Sequence, residues 1–160
     1  YWFHHDGNAR RDIKILEILE NEGRITHEEM AKRLNISRPA IHQRVSKLEQ
    51  SGVIKGYKTV IEWSKAGQAL RALIFINVRT SDFNSLMNEI VNIKIEGLDI
   101  EECFRITGQW CIMLRIRTIE AKQITCLHDE ILKKQGVTET FTMLILSEMS
   151  KGQINTGRKD

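Results

Sequence analysis

The sequence predicts an α+β chain of two parts, a helix-turn-helix followed by a ferredoxin-like βαββαβ domain. Three observations carry this. Two capped helical segments stand a few residues apart between residues 26 and 52, and the remaining hundred residues alternate between strand-like and helix-like stretches. The chain has 160 residues, 41% hydrophobic, enough to bury a core in one ordinary domain or two small ones.

Ile13, Leu16, Ile18 and Leu19 recur at near-helical spacing and predict a first helix ending near Asn21-Glu22-Gly23. Residues 1–8 are set aside from this expectation. Thr26-His27-Glu28-Glu29 is a capping box, in which Thr26 accepts from the Glu29 amide while Glu29 reaches back. It opens a short helix, 28–34, with Met30, Ala31 and Leu34 on its inner side. Asn35-Ile36 forms a tight turn. Ser37 then caps a third helix whose first turn holds Pro39, the chain's single proline, where the missing N–H costs nothing. Ile41, Val45 and Leu48 face inward, and Gly52 ends the helix.

Two short helices joined by a turn also occur as a purely structural hairpin, but the charge points elsewhere. Between Lys32 and Lys58 stand seven basic residues and a single acid, Glu49, although the whole chain carries only +3. Clustered cations neutralise phosphates and release counterions, the general source of affinity for duplex DNA. The outward face of the third helix carries Arg38, His42, Gln43, Ser46 and Lys47, of which Arg, Gln and Ser can read base edges in a major groove. Ser37, Arg38, His42, Gln43, Arg44 and Lys47 are therefore the expected contacts to double-stranded DNA. Arg44 lies beside the inward stripe, so it either clamps a phosphate or pairs with an acid such as Glu29 or Glu49. No His or Cys stands at ligand spacing from His42, and no metal or cofactor is expected.

Residues 53–61 have strand composition, and 63–67 read as a connection. Strands follow at 70–78, 100–107, 110–117 and 137–148, with helices at 83–93 and 119–134. Leu86, Met87, Ile90 and Val91 are expected inside the first of these helices, and Ile124, Leu127, Ile131 and Leu132 are the apolar positions of the second. Gly108-Gln109 between the two middle strands reads as a two-residue type II′ hairpin turn. The order is that of the split βαβ arrangement, one sheet covered on one side by two helices. The other side presents side chains such as Leu73, Phe75, Cys111, Met113 and part of Phe141–Leu146, although the sequence does not fix which alternation faces outward and both are rich in apolar residues. A sheet that is apolar on both sides needs a second cover, which predicts a homodimer through sheet-to-sheet packing. The domains are expected at 9–62 and 68–150, with a frayed polar tail from Lys151.

Several classes are excluded. The longest purely apolar run, Ala72–Ile76, is far short of a bilayer span, so no membrane partner is expected. Tyr1-Trp2-Phe3-His4-His5 lacks the basic flank and apolar stretch of a secretory leader. Cys103, Cys111 and Cys126 include no C-x-x-C pair, which predicts reduced thiols in a cytoplasm rather than a disulfide framework.

Several segments, taken in order, resemble the Lrp/AsnC (feast/famine) transcriptional regulators. They are Asp12-Ile13-Lys14-Ile15-Leu16, Gly23-Arg24-Ile25-Thr26, Glu29–Leu34, Gln43–Glu49, Gly52–Tyr57, Cys103–Gly108 and Gly136–Thr140. The resemblance covers roughly residues 10–150. It implies a winged helix-turn-helix, a C-terminal effector-sensing domain, and dimers assembling into tetramers or octamers on dyad-related DNA sites. It also implies an amino-acid effector near the turn Gly108-Gln109-Trp110-Cys111. The family pattern there is Gly, any residue, an aromatic, then Asp, so Gly108 and Trp110 fit while Cys111 stands in place of the acid, similar to regulators of the Bacillus LrpC type. A neutral thiol cannot pair with an effector's ammonium. A second reading is an architectural protein that wraps DNA without a ligand. A third is enzymatic, because siroheme decarboxylases resemble this family. It is disfavoured because residues 57–67 hold no His or Arg, and His128 is the only histidine of the C-terminal domain.

Overall fold

The computed structural model describes residues 7–149, which divide between Val60 and Ile61 into two compact units. Any fraying from Lys151 lies outside the described residues, as do residues 1–6 of the N-terminal stretch.

The first unit holds α1 (Gly7–Asn21), α2 (His27–Leu34) and α3 (Arg38–Gln50). Helix α1 starts at Gly7, earlier than the sequence predicts and within the 1–8 stretch. Its inner stripe also differs, since Ile15 is fully buried whereas Ile13 is 40% exposed. The stripe centres on Ile15, with Ile18 and Leu19 one turn on packed against the same core. The capping box forms as the sequence predicts, with the Glu29 amide donating to Thr26 Oγ1 and the Thr26 amide to Glu29 Oε2. Asn35 turns the chain in the left-handed region at φ 53°, which a short polar side chain tolerates. Ser37 Oγ then accepts from the Ala40 amide, and Pro39 sits in the first turn of α3. Ile41, Val45 and Leu48 pack with Ile15, Met30 and Ala31 into a closed core.

The expected strand over 53–61 does not form. Val53, Tyr57, Val60 and Ile61 are all exposed, and no described strand lies beside them. Strand composition becomes a strand only when an edge is available to pair with. The segment is held instead by the Ile54 amide donating to Leu48 O and by Tyr57 Oη donating to Glu49.

The second unit runs β1 (Leu70–Val78), α4 (Phe83–Val91), β2 (Leu98–Arg105), β3 (Ile112–Thr118), α5 (Ala121–Leu132) and β4 (Val137–Leu144). The strands form one sheet in the order β2-β3-β1-β4, every pair antiparallel. This is the βαββαβ order. Ala72, Ile74 and Ile76 of β1 and Ile112, Leu114 and Ile116 of β3 are fully buried against Leu86, Ile90, Ile124, Leu127 and Ile131 of the helices. Val91 is an exception to the expectation at 38% exposed, and Leu132 is 50% exposed, because each is turned about 100° round its helix from a fully buried neighbour, Ile90 or Ile131. Strand β4 ends at Leu144, short of the expected 148.

The β2–β3 connection also differs from its sequence reading. The ladder reaches Arg105–Ile112, and the Ile106 amide donates to Cys111 O at 2.9 Å, so the connection proper is the four residues 107–110. Gly108 does adopt a positive φ, 109°, but not within a two-residue turn. The cause is tertiary. The Cys111 amide donates to Ile76 O of β1, and Trp110 leaves the hairpin to stack on an aromatic of β4.

Candidate nucleic-acid interface and effector loop

With Ile41, Val45 and Leu48 buried, the helical period turns Gln43 directly outward from the core. Arg38, His42, Gln43 and Lys47 are all exposed, and Ser46 is half-buried. Gln50, two turns beyond Gln43 and also exposed, extends the same row, which the period alone could have supplied. Ser37 has a different position, because its hydroxyl is committed to the helix cap.

The basic segment is not a uniform field. Arg33 grips Glu22 through both terminal nitrogens at 2.5 and 2.8 Å, and that bond holds Glu22 below the usual carboxylate range. Lys32 pairs with Glu28 at 3.4 Å. Arg44 donates to Asp12 Oδ1 and to Asn8 Oδ1, both at 2.7 Å, with the Arg44 and Asp12 side chains about one-fifth to one-quarter exposed. Its acid is thus neither Glu29 nor Glu49. Arg44 is a tie between α1 and α3 rather than a freely presented cation. The sequence window concealed this because the partner stands 32 residues away. Among the described residues, Arg38, Lys55 and Lys58 have no acidic partner.

A further contact crosses from α2 to α3. The rings of His27 and His42 lie with centroids 5.4 Å apart, tilted by 51°. Sequence spacing hid this pair, since fifteen residues and a turn separate them.

In the second unit the sheet side away from the helices divides in two. Toward the hairpin, Trp110 stacks on Phe141 at 5.8 Å and meets Phe75 at 6.1 Å. Phe75 faces Phe141 and Met113 across the ladders, and Leu73 faces Met143. Phe104, Phe141 and Met143 remain 42–49% exposed. Toward the other end, a bulge between Ile100 and Glu102 presents Glu101 to three arginines: Arg71 at 3.4 Å, Arg115 at 3.2 Å and Arg117 at 3.4 Å. Arg117 also pairs with Asp99, accepts Trp63 over its guanidinium at 3.9 Å, and donates to Gln68 Oε1.

Gly108 and Gln109 are exposed at the tip of the hairpin, whereas Trp110 and Cys111 are half-buried. The Cys111 thiol lies 3.6 Å from Asn77 Oδ1 and 3.9 Å from Val78 O. The turn therefore presents an indole edge and a thiol tucked against β1, with no carboxylate among its four residues. Cys103 is a half-buried thiol whose pKa is pushed up to about 11 by desolvation, and all three cysteines are free. Among the described residues no three His, Cys, Asp or Glu side chains cluster in a way that could hold a metal, and no helix is long and apolar enough to cross a membrane.

A model of winged helix-turn-helix DNA-binding domains matches residues 9–55, and a model of the Lrp/AsnC ligand binding domain matches residues 71–154. The chain belongs to the Lrp/AsnC family. The regulatory protein AsnC of Haemophilus influenzae is 35% identical over 135 residues, covering 81% of this chain and 87% of its own. The transcriptional regulator LrpC of Bacillus subtilis is 29% identical over 138 residues, covering 86% of this chain and 91% of its own. The solved B. subtilis LrpC structure superposes with a TM-score of 0.71, covering 88% of this chain and 95% of that one. A Neisseria meningitidis regulator solved as a complex with L-Met shares the fold at a TM-score of 0.77 and 23% identity, covering 92% and 94%. This Lrp/AsnC chain is a DNA-binding transcriptional regulator with a ligand-binding domain of family type.

Proposed function

We propose that this regulator binds specific duplex sites as a homodimer, reading DNA with the exposed row of α3 and acting as a cytoplasmic regulator rather than an enzyme. The observation that carries this is the division of α3. Its inner residues are closed into the core, while Arg38, His42, Gln43 and Lys47 stand exposed at the N-terminal half and middle of the helix. Those are the positions from which a recognition helix reaches base edges. Arg38 and Lys47 supply the charge and Gln43 the amide able to pair with adenine. Ser37 acts by fixing the start of α3, and Arg44 by holding α3 to α1. Lys55 and Lys58 extend the phosphate contact beyond the helix.

Dimerisation through the open side of the sheet supplies the cover that Phe75, Trp110, Met113, Phe141 and Met143 call for, and it places two recognition helices on dyad-related half-sites. Assembly of dimers into tetramers or octamers follows the family resemblance. The effector is a small molecule recognised at Gly108, Gln109, Trp110 and Cys111, and the L-Met complex of the Neisseria relative supports an amino acid as its class. The thiol of Cys111 gives such a ligand's ammonium no counter-charge, so an effector here is held by the indole and backbone groups.

The test is fluorescence anisotropy with the chain's own upstream DNA and random duplex at moderate salt. A preference of at least tenfold for the upstream site is expected. Equal affinity for both would overturn sequence-specific reading and favour an architectural, DNA-wrapping role.

A further inference from the structure

We infer that His27 and His42 form a divalent transition-metal site on the DNA-binding unit, with imidazole nitrogens from α2 and α3 as its two protein ligands. The inference goes beyond the regulatory reading and does not depend on it. The distance is the first argument. An imidazole nitrogen binds zinc at about 2.0–2.1 Å, which puts each ring centroid about 3.2 Å from the ion. Two rings at a tetrahedral angle about one ion then stand roughly 5.2 Å apart. The rings of His27 and His42 are 5.4 Å apart, from centroid to centroid.

Preorganisation is the second argument. His27 is the first residue of α2, directly after the N-cap Thr26 and inside its capping box, and His42 follows the fully buried Ile41. Both backbones are therefore fixed by the core and caps before any ion arrives, so binding costs side-chain ordering only. The third argument is access. His42 is exposed and His27 half-buried, leaving solvent able to complete the coordination sphere. The nearby acids are already engaged, Glu28 with Lys32 and Glu29 with Thr26. Imidazole pairs suit copper, nickel and zinc rather than magnesium or calcium, which prefer oxygen.

The experiment uses the whole chain carrying His4→Ala and His5→Ala, which removes the other adjacent histidines from the count. Titration with Cu²⁺, followed by electron paramagnetic resonance and by calorimetry, is expected to show one site per chain with nitrogen ligation. Zn²⁺ is expected to raise Tm and Mg²⁺ to leave it unchanged. His27→Gln and His42→Gln should each weaken Cu²⁺ binding at least tenfold while the metal-free melting curve stays cooperative. Cu²⁺ affinity unchanged in both variants, or ligation without nitrogen, overturns the site. Should His27→Gln lose its cooperative melt, His42→Gln alone decides the matter, because its side chain is exposed and outside the core.

Discussion

The turn into α3 and the turn into β3 carry comparable sequence signals, a serine cap before a proline in one and a glycine-led dipeptide in the other. The first forms as its sequence predicts and the second does not. In the α2–α3 region every determinant is local: Thr26 with Glu29, Ser37 with the Ala40 amide, and Ile41, Val45 and Leu48 at helical intervals. In the hairpin the decisive partners come from elsewhere in the sheet. Cys111 donates to Ile76 and Trp110 stacks on Phe141, so the ladder opens early and the loop lengthens. Local chemistry thus sets the surface proposed to meet DNA, and the sheet's tertiary contacts set the surface proposed to meet a ligand and a second copy.

The sharpest way to break this division is through the aromatic side of the sheet. Phe141→Glu puts a charge among Trp110, Phe75 and Met113, and each buried aromatic contributes about 1.5–3 kcal/mol. Twofold symmetry doubles the penalty. Light scattering coupled to gel filtration is expected to show monomer where the parent chain gives a dimer or larger assembly. An unchanged mass would place the interface elsewhere.

Next in size are the proposed DNA contacts. Arg38→Ala is expected to lower affinity for the upstream site about tenfold and to relax base preference, corresponding to the roughly 1–3 kcal/mol of a specific contact. Lys47→Ala should weaken specific and random duplexes alike and flatten the salt dependence by about one counterion. Both variants should keep the parent assembly state. Loss of assembly in either would mean that the two units do not divide the work as described.

Arg44 sharpens the same comparison. Because it bonds Asp12 and Asn8, Arg44→Met should act first on stability, costing about 1.5–3 kcal/mol for the lost charged hydrogen bonds. Thermal denaturation reads that loss directly. Once the fraction folded is accounted for, the remaining change in DNA affinity should be smaller than that of Arg38→Ala. A larger one would make Arg44 a phosphate clamp after all.

What the sequence disclosed follows the range of the interactions involved. The βαββαβ element order, the inner face of α3, and the caps of α2 and α3 all rest on spacings within a few residues, and all are observed. Both alternations of β1, by contrast, are apolar, and the sheet's packing alone decides that Ala72, Ile74 and Ile76 face the helices. Arg44's acid, His27 beside His42, and the convergence of three arginines on Glu101 depend on contacts 14–32 residues apart. No local pattern encodes them. The strand expected over 53–61 failed for a related reason, since its composition is right but among the described residues no strand pairs with it.

The smallest expected effect concerns His128, which joins α5 to β4 through Thr140 Oγ1 at 2.7 Å and through Thr142 Oγ1. Burial lowers its pKa from the ordinary 6.5, with Asp129 opposing more weakly. The folded state therefore binds fewer protons than the unfolded chain below 6.5. Its contribution is fully present above that pH and is lost as pH falls through the lowered folded-state value. His128→Gln keeps a polar side chain there but cannot titrate, so its Tm should fall less than the parent's between pH 6.5 and pH 5, about 6.5 being the upper edge of the window. The neighbouring DNA-binding unit has no part in this bond. Acid should therefore loosen α5 against β4, and hydrogen exchange resolved by segment should show protection falling there while α3 keeps its own.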